Sequence, residues 1–337
     1  VKSKYLDMAL RTSPHLTRGV DVQVIMRNVV YALLPLVAMA VYAFGLSALL
    51  LVLVCTVFAI ATEYMVARFS GSPSTLRDNT AIITGLLLGL TLPPGFPLWM
   101  AALGGIISIM LGKALFGGLG FNIFNPALVG RAFLQAAFPV AITTWNAPLA
   151  SERFSAVINT TLALPLIKAA PAVTTGATPL AALKFDHQLT PGLDLALGTV
   201  SGSAGETSAV LILLGGAYLA WRRMLDWRIP AGILATVFLL SGLLHLINRS
   251  YPPPLFMLLS GGLMLGAVYM ATDMVTSPVT PVGVWIFAFM IGALTVIIRI
   301  WGGLPEGVMY AILLANGLTP LINLWTQPRI YGERKKS

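Results

Sequence analysis

Chemistry-bearing residues gather in only a few places of a chain that is otherwise apolar. Thr174-Thr175-Gly176-Ala177-Thr178-Pro179 sets three hydroxyls around a glycine in the one long polar segment. Gly176 lets the backbone bend tightly, and Pro179 restricts Thr178 to extended conformations. That combination presents Thr178 outward, as an exposed acceptor for an enzyme-installed phosphodiester; by composition alone the same six residues are an ordinary polar loop. A second cluster, Gly117-Gly118-Leu119-Gly120 followed by Asn122 and Asn125-Pro126, offers a flexible backbone and two amides beside a broken helix. Five carboxylates, Glu63, Asp78, Glu206, Asp273 and Glu306, fall near the ends of apolar runs. Carboxylates inside a membrane suggest function, and here ion ligation, gating and capping are all open. Asp78-Asn79-Thr80 and Glu206-Thr207-Ser208 both open short helices, whose first N–H groups need acceptors.

The elements that must hold these groups are membrane spans. With 57% hydrophobic and 10% charged residues and a mean hydropathy of +0.85, the chain lies far from the roughly 25% charged content of soluble domains. A span needs roughly 20 apolar residues to cross about 30 Å of hydrocarbon. The runs read as about ten spans, near 24–44, 46–67, 80–92, 98–113, 123–140, 206–221, 229–247, 255–271, 283–299 and 306–325. The expected fold is an all-α polytopic membrane protein. Its divisions are an N-terminal segment (1–22), a first transmembrane half (23–140), a loop (141–205), a second half (206–325) and a tail (326–337).

Several spans are too short for plain helices. The 80–92 run stops at Pro93-Pro94, and 123–140 is interrupted by Asn125-Pro126 and Pro139. Broken helices at membrane depth persist only where protein or a cavity satisfies their freed backbone groups, and their ends favour ligands. Gly85-Leu-Leu-Leu-Gly89 is echoed by Gly262-Leu-Met-Leu-Gly266, and Pro97 to Leu119 by Pro281 to Leu304. The echo predicts a five-plus-five inverted repeat.

A net charge of +9 looks like a nucleic-acid signal until it is mapped. With the N-terminus inside, most Lys and Arg fall in the inner segments, among them 2–27, 222–228 and 329–336. Outside fall only Arg153, Lys168, Lys184, Arg249 and Arg299, with Arg131 inside a span. This positive-inside bias is topology. It puts both termini in the cytoplasm and the 141–205 loop outside, and argues for lipid rather than nucleic acid. The lone Cys55, in an apolar run, reads as a small core side chain, and His15, His187 and His245 lack ligand spacing, which disfavours metal or haem.

Four stretches together resemble the D-type subunits of Rnf electron-transport complexes, a family related to the B-type subunits of the sodium-translocating NADH:quinone reductase. They are Leu76-Arg77-Asp78-Asn79-Thr80 with Thr84–Leu90 before Pro93-Pro94; Phe116 through Asn122 and Asn125 to Leu128; Thr174–Leu180; and Glu306-Gly307-Val308 through Asn316 and Pro320 to Pro328-Arg329-Ile330-Tyr331-Gly332. The resemblance runs from about residue 10 to the C-terminus. It implies FMN esterified through its phosphate to Thr178, the last residue of the S/T-G-A-T motif. Arg131, Arg153, Lys168 and Lys184 become partners for the phosphate or the reduced ring, against a bland reading as helix-end or loop charges. It further implies a non-covalent riboflavin with Asn122 and Asn125 as contacts. One position departs: where the extended attachment signal carries Asp, this chain has Ala172.

On that resemblance the chain is an electron carrier within a translocase of a bacterial inner membrane. The complex would couple electron transfer between ferredoxin or flavodoxin and NAD to Na⁺ or H⁺ movement. The chain has no nucleotide-binding Gly fingerprint and no cluster ligands, so iron–sulfur and NAD-binding subunits and a second covalent-FMN subunit are the expected partners. Three other readings stand beside it: a quinone reductase component with the same flavin, a small-solute channel or transporter with no chromophore, and a scaffold insensitive to loss of the Thr178 hydroxyl.

Overall fold

The computed structural model describes residues 21–71, 78–155, 157–165, 176–186, 188–206, 208–303 and 306–328. Thr174, Thr175, Lys168, Ala172 and both chain ends lie outside the described residues. All regular structure among the described residues is helical. The first half comprises α1 (Val22–Phe44), α2 (Leu46–Ser70), α3 (Thr80–Thr91), α4 (Leu98–Gly112), α5 (Pro126–Ala137) and α6 (Pro139–Ile142). Two short helices follow, α7 (Pro179–Asp186) and α8 (Gly192–Leu197). The second half comprises α9 (Ala209–Trp221), α10 (Arg228–Ile247), α11 (Pro254–Leu259), α12 (Leu263–Leu265) with a π turn at Gly266–Met270, α13 (Pro281–Trp301) and α14 (Val308–Thr326).

Six helical segments are long and apolar enough to cross a membrane, α4 being counted with the turn that continues it to Phe116, and α3 and α9 are shorter apolar helices. The chain is therefore an all-α, multi-pass membrane protein. The remaining expected spans are shortened or broken where the sequence breaks them. Pro93-Pro94 follows the end of α3. Pro126 stands at the first position of α5, and Pro139 at that of α6. Proline fits a first turn because its missing N–H has no acceptor to lose there. The expected single span at 255–271 divides at Ser260. There Gly261 takes φ 64°, and the chain resumes as α12 and the π turn.

Packing repeats in the two halves. α2 packs on α3 and α4, and α4 on α5; correspondingly, α10 packs on α11 and α13, and α13 on α14. Small residues set these approaches. A methyl on Gly85 would collide with the Cα of Thr56, and one on Gly292 would stand 2.7 Å from the Cβ of Thr236. Without a hydrophobic drive between helices in lipid, such close backbone contact supplies the attraction. The glycine echo has different partners in each half. Gly85 and Gly89 press on α2, whereas Gly262 faces Glu206 and Gly266 faces Val308 of α14. Cys55 is buried, with its Sγ 3.8 Å from the Ala101 carbonyl, a core side chain as its sequence context implies.

Candidate functional site

α5 has a cavity toward each end. Its N-cap, Asn125, borders one lined by Thr80, Thr84, Lys113, Asn122, Tyr269 and Asp273 among apolar side chains, of about 90 Å³. Further along, Arg131 and Gln135 border a second of about 360 Å³, with Trp145, Gly176, Ala177, Thr178, Phe185 and Glu306. At ~1.5 Å per residue, the stretch from Asn125 to Gln135 spans about 15 Å.

In the smaller cavity the two asparagines differ. The Asn125 Oδ1 accepts from the Ala127 and Leu128 N–H groups at 3.0 and 3.5 Å, and its Nδ2 donates to the Met270 carbonyl at 3.1 Å. Its amide caps α5 and ties it to the π turn, which fills the oxygen and one of the two N–H groups. Asn122 donates to the Phe124 carbonyl at 3.3 Å, and its buried Oδ1 has no hydrogen bond among the described residues. Of the two amides, Asn122 is the one whose oxygen is left for a ligand. Lys113 lies buried on this wall. Its ammonium donates to Glu63 Oε1 at 2.6 Å and to Thr80 Oγ1 at 2.7 Å. Asn79, at φ 58°, makes no side-chain cap on α3, and the Thr80 hydroxyl accepts from Lys113.

Around the larger cavity the expectation of an outward Thr178 is corrected. Thr178 is only 4% exposed. Its hydroxyl accepts from the Ala181 N–H at 3.3 Å and its carbonyl from the Ala182 N–H at 2.8 Å. It caps α7 and faces the cavity rather than bulk solvent. Gly176 is held by its N–H to the Trp145 carbonyl at 3.0 Å, and a methyl there would collide with Ser201 Oγ.

Arg131 is the shared wall. Its guanidinium lies 2.8 Å from Glu306 Oε2 and 3.7 Å from Glu206 Oε1, and all three border a small chamber of about 30 Å³ beyond the cavity. Ser208, rather than Glu206, caps α9, accepting from the Leu211 N–H at 3.4 Å. Glu206 is thereby left facing Arg131. Of the other cations expected near the phosphate, Lys168 lies outside the described residues and Arg153 and Lys184 are engaged elsewhere. Arg153 donates to the Tyr42 carbonyl at 2.9 Å and stacks on Tyr42 and Phe154. Lys184 donates to the Gly302 carbonyl. Arg299, expected outside, is buried and donates to the Met257 and Ser260 carbonyls at 2.6 and 2.9 Å. Sequence reading missed both charge clusters as clusters. Their only signal was a charged residue within or beside an apolar run, which names no partner.

These features define an integral membrane protein with broken helices, buried charge and two cavities along one helix. The chain belongs to the NQR2, RnfD, RnfE family, which matches residues 9–332. It is 42% identical to the D subunit of the proton-translocating ferredoxin:NAD(+) oxidoreductase complex of Clostridium ljungdahlii, covering 97% of this chain and 96% of that one. It is 41% identical to the D subunit of the Na(+)-translocating ferredoxin:NAD(+) oxidoreductase complex of Acetobacterium woodii, covering 98% and 97%. Against the D subunit of the ion-translocating oxidoreductase complex of Stutzerimonas stutzeri the identity is 41%, covering 93% and 92%.

Proposed function

We propose that this chain is the D subunit of an Rnf-type ferredoxin:NAD oxidoreductase complex, carrying electrons on an FMN esterified to Thr178 while the complex moves Na⁺ or H⁺. The observation that carries the proposal is the seating of Thr178, the last residue of its attachment motif, on a ligand-sized cavity whose cation is Arg131. The residues present fit the group. An ester phosphate on Thr178 would lie at the start of α7, where the positive end of the helix favours an anion. Arg131 would balance the phosphate or a reduced ring, Trp145 and Phe185 would flank the ring, and Gln135 would offer an amide to its polar edge. FMN supplies one- and two-electron chemistry when bound, and the protein supplies position and charge.

Riboflavin in the cavity at Asn122 extends the proposal, with the Asn122 Oδ1 as its hydrogen-bond acceptor. The setting is a bacterial cytoplasmic membrane, with termini inside and the 141–205 loop outside, as the basic residues favour. Iron–sulfur and NAD-binding subunits and a second covalent-FMN subunit complete the complex. Mass spectrometry of the Thr178 peptide, from chain co-expressed with a flavin transferase, tests the attachment. A mass increase of FMN less water on Thr178 is expected. An unmodified peptide would sink the carrier role and favour a solute transporter.

A further inference from the structure

Four charged side chains gather behind the Thr178 cavity: Arg131 of α5 contacts Glu206 before α9 and Glu306 before α14, and Arg299 of α13 flanks Gly261 together with Glu306. Two facts make this more than a lock between helices. Each member keeps an atom without a hydrogen bond among the described residues: Arg131 Nε, Arg299 Nε, Glu206 Oε1 and Glu306 Oε1. And the cluster is reached from the cavity. The side chain of Glu306 is 20% exposed, against 5% for Glu206, and Glu306 borders both the Thr178 cavity and the small chamber.

The charges of these four sum to zero when all are ionised, and Lys184 of α7 adds one positive charge against the one negative charge of an ester phosphate on Thr178. Arg299 directs its NH groups to two backbone carbonyls, which leaves Arg131 to contact both carboxylates. Other polar groups packed nearby are Tyr310 of α14, Gln135 of α5 and Lys184 of α7, the last held on the Gly302 carbonyl. A negative charge entering the cavity would upset this balance where water is scarce and an uncompensated buried charge is costly. The open carboxylate oxygens are the groups able to neutralise it by binding a proton.

We propose that Glu206 and Glu306, bridged by Arg131, form a proton-binding site that takes up one proton when an electron enters the Thr178 cavity. The proposal rests on the covalent-flavin reading. On reduction by a neighbouring protein of the complex, one proton from solvent reaches the pair through Glu306 and forms a carboxylic O–H. On reoxidation that bond breaks and the proton leaves. Arg131 is a positioning residue, holding the two oxygens within reach of one another.

Reduced-minus-oxidised infrared spectroscopy of the purified complex tests this, with mass spectrometry of Thr178 on the same sample. A carboxylic C=O band is expected on reduction, downshifted in D₂O and by ¹³C-glutamate labelling, and lost in Glu306→Gln. Labelling needs no variant, so the test survives if the substitution impairs assembly. A modified Thr178 with no glutamate-sensitive band overturns the proton site and leaves the carrier reading standing. An unmodified Thr178 overturns both. A labelled band that survives in both Glu306→Gln and Glu206→Gln places the proton on another glutamate and likewise overturns the assignment.

Discussion

The two cavities along α5 hold charge in different ways. At Asn122 a single ammonium is clamped between a carboxylate and a hydroxyl at 2.6 and 2.7 Å, all within one half of the chain. At Thr178 one guanidinium is divided between carboxylates 2.8 and 3.7 Å away, both on the turns that lead into α9 and α14 of the other half. Short bonds between helices resist change in charge or position. A divided ion pair on turns can redistribute when a neighbour's charge changes. The contrast assigns a fixed electrostatic environment to the first cavity and an adjustable one to the second.

The largest effect that would break this contrast is chemical. Thr178→Ala is expected to abolish covalent flavin fluorescence in the denatured band and to stop electron transfer through the complex. The non-covalent flavin, extracted and counted by chromatography, should remain. Loss of both flavins would mean that the cavities are one site. Next comes the clamped lysine: Lys113→Met removes the cation facing buried Glu63, and breaking a buried pair costs about 3–5 kcal/mol. Thermal unfolding in detergent should show that loss, with Thr178 still modified. A drop in flavinylation without a drop in stability would reverse the roles given to the two charge groups.

Gly176→Ala is expected to cost about 1–3 kcal/mol by overpacking against Ser201. Adding Ser201→Ala should return most of it, as a double-mutant thermal shift would read. Asn122→Leu should leave Thr178 modification and fold intact while lowering the amount of non-covalent flavin recovered; recovery unchanged would remove Asn122 as a contact. The smallest change is Ala172→Asp, expected to raise the flavinylated fraction slightly by restoring the extended attachment signal, measured as the ratio of modified to unmodified peptide. No change would show that the short motif suffices.

Much of this arrangement was legible in the residues. The limits of α3 follow from Thr80 and Pro93-Pro94, and the break at Asn125-Pro126 from a residue that caps and one that cannot donate. The break at Ser260 was hidden, because a π turn and a left-handed Gly261 leave no distinctive apolar pattern. Asn125 looked like a ligand contact, yet the α5 N-terminus takes its oxygen and the Met270 carbonyl one of its N–H groups. Only the second of these partners is distant in sequence, 145 residues away.

By itself, the sequence determined what acts locally. Apolar length sets the spans, proline and capping residues set where they stop, and the order of short motifs sets the family. Tertiary structure alone decided which charges meet. Arg131 and Glu306 are 175 residues apart and Lys113 and Glu63 are 50, and nothing in either's neighbourhood names its partner. Burial of Thr178 belongs with these, since it depends on α7 closing over a cavity whose other walls come from α5 and the turn before α14. The physical reason is range. Backbone geometry and hydrophobic transfer act on a residue and its neighbours, whereas a buried charge is settled by whichever opposite charge the packed helices bring beside it.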